Sequence, residues 1–211
     1  MDILAILARW GHLLFGITWI GLLYYFNFIQ GGYFKKASPE GLADAKKALA
    51  PDALWWFRWA AMFTFITGAI LIVGVAQLGQ MNASIIIGAT MGTLMFLNVW
   101  LIIWPNQKIA LGMAEGDGPS AGAKALLASR TNTLFSGPMA FFMLAGPHFG
   151  TVGMGWGTGM DSIALWIALG LVAVLEINAI VGKLGIMTTV KGVIHSSLAL
   201  TAILVAVLKL V

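Results

Sequence analysis

The chain has no cysteine among its 211 residues. That excludes disulfides, zinc–thiolate sites, iron–sulfur clusters and covalent c-type haem attachment within this polypeptide. Charge is scarce as well: 9% of residues are Asp, Glu, Lys or Arg, against 60% hydrophobic. A water-soluble domain is not built from that balance. Histidine occurs three times, so nitrogen ligands for a metal or a haem come from His12, His148 and His195.

What is abundant is apolar sequence of bilayer-spanning length. Six runs stand out, at 4–29, 54–78, 83–104, 123–146, 162–182 and 188–210. Each spans or nearly spans ~30 Å at 1.5 Å per residue. Backbone polar groups in hydrocarbon must be satisfied internally, and these runs are far longer than barrel strands, so they are expected to be α-helices. The expected fold is all-α, a polytopic membrane helix bundle forming one integral membrane domain over residues 1–211. Between the first two runs, GGYFKKASPEGLADAKKALAPDA reads as a surface loop with a short interfacial helix. Trp104-Pro105-Asn106-Gln107-Lys108 and the glycines that follow end the third run, and the break from Gly146 to Asp161 is Gly-rich.

Lys and Arg set the expected orientation. Of the 12, Lys35, Lys36, Lys46, Lys47, Arg58, Lys108, Lys124, Arg130, Lys183 and Lys191 flank breaks one, three and five, leaving Arg9 and Lys209 for the other side. The positive-inside rule then puts both termini outside and the three charged breaks in the cytoplasm. A reporter fused at Ala43 should read cytoplasmic and one at Gly155 external; the same compartment for both overturns this topology. Asp2 stands where a signal peptide has a basic region, and no small-residue cleavage site follows, so the first run is expected to remain in the mature chain. A pI near 9.5 does not point to nucleic acid, because topology already explains the basic residues.

Polar side chains inside the runs are few and costly, which marks them as functional candidates. His12 lies in GHLLFGITWIG, where Gly16, Trp19 and Gly21 follow at successive turns and leave room for a flat ring or a close helix. Haem between helices fits, with Arg9 three residues outward as a propionate partner; a histidine bonded to a neighbouring helix fits too. Glu176 and His195 are expected at similar depth, ~10 Å from the cytoplasmic end, as a proton path or as a structural pair in which Lys183 or Lys191 takes part. Ser136-Gly137-Pro138 should bend the fourth run. Asn98 and Asn132 complete the set.

Four segments, RWGHLLFGITWIGLLYYFNFIQ, WWFRWAAMFTFITGAILI, NVWLIIWPNQKIAL and RTNTLFSGPMAFFMLAGPHF, occur in that order. They resemble the membrane domain at the N-terminus of the bacterial cytochrome c-linked urate oxidases. The His-x6-Trp-x-Gly pattern of the first is similar, more distantly, to that of the bacterial membrane protoporphyrinogen oxidases and the copper-resistance D proteins, a group that includes haem b binders. The resemblance implies His12 as the first-helix motif histidine and His148 as the histidine after the fourth motif. It departs at Trp59-Ala60-Ala61, where the family has an acidic residue after the tryptophan, and at Gln30-Gly31-Gly32, where a histidine precedes the glycines.

The function expected is therefore a membrane redox protein of the bacterial cytoplasmic membrane. It would hold haem b on His12, with His148 or His195 as second ligand, and exchange electrons with a partner such as an external cytochrome c. The alternative is a non-catalytic accessory subunit of a larger respiratory or photosynthetic membrane complex, suited by its small packing residues. A transporter with Glu176, Asn98 and Asn132 along its path ranks third.

Overall fold

The structure, a computed structural model, describes residues 3–149 and 162–211, and every regular element among them is helical. Six long helices follow one another: α1 (Ile3–Phe34), α2 (Pro39–Gln77), α3 (Ala83–Ala110), α4 (Gly118–Phe149), α5 (Ile163–Val181) and α6 (Val190–Leu210). Short polar side chains start four of them. Ser38 accepts from the Gly41 N–H, Asn82 from Ile85, Ser162 from Leu165 and Thr189 from Gly192. Gly155 and the rest of the Gly-rich break from 150 to 161 lie outside the described residues.

Two breaks are much shorter than the sequence suggests. Only Lys35 to Ser38 separates α1 from α2, because the Ala- and Lys-rich segment before Pro51 favours helix strongly enough to join the following span. Likewise α3 does not stop at Pro105 but continues to Ala110. Both prolines follow a π-helical turn, Ala45–Leu49 before Pro51 and Asn98–Ile103 before Pro105. A proline lacks the N–H and crowds the carbonyl four residues back, and the wider turn shifts that ladder out of register so that the helix can carry on.

Five helices, α1, α2, α3, α5 and α6, are long and apolar enough to cross a membrane. The fourth helix is different in composition. Every residue of α4 from Leu127 to Ser136 is buried, including Ser129, Arg130, Thr131, Asn132 and Thr133. It packs against α1, α3, α5 and α6 and so meets protein where the others meet lipid. Its register shows that it crosses the same layer: Asn82 bonds the Gly146 carbonyl, Gly88 abuts Met143, Asn98 bonds Asn132, and Gly122 faces Ala110. That is an antiparallel pairing along the whole of α3. The six-helix membrane bundle expected from the sequence is thus present, with the most polar helix at its centre.

Candidate functional site

A cleft of about 820 Å³ opens between α1, α2, α3 and α4. Ligand cavities commonly fall between about 300 and 1,000 Å³. Its walls are apolar, drawn from residues such as Ile20, Phe65, Ile72 and Met143, and Gly16, Gly21, Gly68 and Gly92 keep them flat. At Gly21 an added Cβ would meet nothing within 4 Å. Residues with polar groups are few among those that line it: His12, Tyr24, Thr64, Thr93 and Trp19. Trp19 is 2% exposed, and its buried Nε1 has no acceptor.

His12 is held by α2. Its Nδ1 lies 2.9 Å from the Thr64 carbonyl and 3.2 Å from Thr67 Oγ1. A carbonyl only accepts, so Nδ1 carries a proton, and in the neutral ring the lone pair is then on Nε2. The ring edge rests on Gly68, where a Cβ would stand 3.0 Å from Cε1. This is the support a metal-binding histidine needs: the far nitrogen anchored on a backbone carbonyl, the near one available. It also fits the haem expected from the sequence, since a flat macrocycle needs a Cβ-free wall and one nitrogen donor.

The other residues expected at the site stand elsewhere. Arg9, three residues outward on α1, is exposed and does not line the cleft. His148 is exposed near the end of α4, with Nδ1 3.0 Å from the Leu144 carbonyl, and His195 is exposed on α6; neither lines the cleft. Thr64, Gly68, Gly92, Met139 and Met143 are not recognisable as cleft residues from sequence, because their role depends on how α2, α3 and α4 rotate about their axes. Glycines four apart, Gly88 and Gly92, were the one visible signal that a helix approaches α3 closely.

Glu176 does not meet His195, Lys183 or Lys191. The buried face of α5 is Ala164, Leu165, Ala168, Val172, Glu176 and Ala179, which turns the carboxylate toward α3 and α4. There Asn98 Nδ2 donates to Glu176 Oε2 at 3.1 Å and to Asn132 Oδ1 at 2.9 Å, while Asn132 Nδ2 donates to the Met95 carbonyl at 2.9 Å. The rise per residue leads one to expect Glu176 and His195 at similar depth. Rotation put them on different faces: α6 buries Val193, Ser197 and Leu200 and leaves His195 outward. Among the described residues, no group of three or more His, Asp or Glu side chains gathers as a metal cluster.

Compared with known proteins, the chain matches no curated protein and no solved structure. One family model does match, that of the urate oxidase N-terminal family, over residues 74–208. The match starts in the last turn of α2 and takes in α3 to α6. Of the four segments that suggested the resemblance it contains the third and fourth, and it extends beyond them to the end of the bundle. More than half of the chain is covered, and the protein belongs to the urate oxidase N-terminal family.

Proposed function

We propose that this protein is a membrane redox protein that holds haem b in the α1–α2–α3–α4 cleft, where His12 Nε2 would bind the iron. One observation carries the reading: Nδ1 of His12 is committed to the Thr64 carbonyl, and the ring lines a glycine-walled apolar cleft. When bound, the haem supplies one-electron chemistry. The chain's own residues do the rest. The Thr64 carbonyl fixes the tautomer and turn of the ring, and Ile20, Phe65 and Ile72 exclude water.

With both termini outside, His12 lies in the outer half of α1, since it is in the third turn of a helix that begins at Ile3. A partner such as a cytochrome c at the outer face of the bacterial cytoplasmic membrane is then the natural electron exchanger. His148 and His195 do not line the cleft, so His12 is the one histidine that this reading places on the haem. Glu176, bonded to Asn98, serves in this reading as a proton-path or structural residue.

The test is an absorbance spectrum of the purified protein, oxidised and dithionite-reduced, after expression with haem supplied. The reduced form should show the α-band of a b-type haem. A colourless protein that purifies only with larger subunits overturns the proposal and decides for the accessory-subunit role.

A further inference from the structure

We propose that the crevice between α5 and α6 binds one anionic phospholipid of the bilayer, with an acyl chain in the crevice and the phosphate at the loop that joins the two helices. The crevice measures about 450 Å³ and shares no lining residue with the His12 cleft. Its floor is Leu134 of α4, 5% exposed, with the buried Leu200 of α6 beside it. Leu171 and Leu175 form the α5 wall, and Ile203 stands on the α6 side. Ile203 is 50% exposed and Ile186, on the loop, 74% exposed, so the crevice opens outward from the bundle, where the surrounding medium is lipid.

The lining is graded along the helices. Leu171 and Ile203 lie at the deep end, and Asn178 and Ser196 lie roughly 10 Å nearer the loop on their respective helices. The loop itself is built against this polar end. Asn178, a lining residue, accepts from the Lys183 N–H at 3.3 Å and donates to the Lys183 carbonyl at 3.1 Å. A side chain at Gly182 would collide with Asn178 Oδ1, and one at Gly192 would collide with the Ile186 carbonyl. Gly185, at the mouth, has a φ of +53°, a conformation that favours glycine. These contacts tie the backbone of Lys183 to the mouth of the crevice and leave its side chain exposed.

Shape and charge select the occupant. A helix is ~10–12 Å across, and over a length of 10 Å it needs on the order of 800 Å³, more than the crevice holds. An acyl chain is thin enough, and a lipid carries its polar group at one end, as the crevice does. From residue 177 to residue 208 the chain has Lys183 and Lys191 and no Asp or Glu, so the polar end has the sign that attracts a phosphate. Basic sites between helix ends at the cytoplasmic surface are suited to anionic headgroups, and the positive-inside topology puts this loop in the cytoplasm. Topology alone would give Lys183 no more affinity for lipid than any other cytoplasmic lysine, which is what the test separates.

The full chain is placed in nanodiscs of equal parts phosphatidylglycerol and phosphatidylcholine, and the lipid that stays bound is identified by native mass spectrometry. One phosphatidylglycerol should be retained in roughly fivefold excess over phosphatidylcholine, about what a single lysine near an anionic headgroup supplies. Lys183→Gln should remove that preference. Lys47→Gln, the same change of charge at an exposed lysine of the first loop, should keep it. Ala199→Phe adds a ring at an exposed lining position and should release the lipid without changing helix content. Equal retention of the two lipids by the wild type overturns the proposal, as does a preference that survives both Lys183→Gln and Ala199→Phe. A lipid-free dimer that Ala199→Phe dissociates also overturns it, and assigns the crevice to a second copy of the chain.

Discussion

His12→Ala should abolish the α-band of the reduced protein or shift it markedly, the larger of the two effects on cofactor retention that the cleft predicts. The substitution removes the one imidazole among the described residues that line the cleft and leaves the apolar walls intact, so helix content should not change. Gly68→Ala tests the support instead of the ligand. Its new Cβ would stand 3.0 Å from the imidazole Cε1, and either the ring turns or α1 backs away from α2. Disturbed support of a ligating histidine typically weakens binding on the order of 10- to 100-fold, and haem retention should fall within that range. Thr67→Val should do little, since Nδ1 keeps its 2.9 Å bond to the Thr64 carbonyl. Retention of the full band by His12→Ala would remove His12 from the site.

Asn98→Leu should be the most destabilising single change in the centre of the bundle. One Nδ2 serves two buried acceptors, Asn132 Oδ1 and Glu176 Oε2, so the leucine orphans both at once. At about 1–3 kcal/mol for each unsatisfied group, the loss is roughly 2–6 kcal/mol. Unfolding in detergent, followed by helix content, measures it. Glu176→Gln should be tolerated, because the amide oxygen still accepts from Asn98, whereas Glu176→Leu should cost on the order of 1–3 kcal/mol. If Glu176 moves protons, Glu176→Gln should also slow redox turnover without loss of assembly. Equal stability for wild type, Asn98→Leu and Glu176→Leu would mean that this cluster holds nothing together.

Helix type and number were legible because hydrocarbon leaves so little choice: apolar runs of spanning length can only be helices. Helix ends were less so. Pro51 and Pro105 look like stops in sequence, and the π turns before them, which a one-dimensional pattern does not reveal, let the helices pass. The site was half legible. His12 stood out because an ionisable ring beside glycines is rare in a span, yet its partners on α2 are a backbone carbonyl and a glycine, neither of which advertises itself. Azimuth was not legible, and that separated Glu176 from His195 and joined it to Asn98.

The polar composition of α4 constrains how the protein reaches its final state. A charged side chain such as Arg130 at the middle of an isolated helix costs about 2.5–3.5 kcal/mol on the scale of translocon insertion, and Asn132 and the neighbouring Ser and Thr residues add to it. Synthesis delivers α4 to the bilayer before α5 and α6, two of the helices that shield it, exist. The one shield already made that pairs along its entire length is α3, whose Asn98 and Met95 carbonyl receive Asn132. The two must therefore enter as a hairpin, and variants that break the α3–α4 contact should fail at insertion, giving chains with α4 left on the wrong side of the membrane and degraded before they can fold.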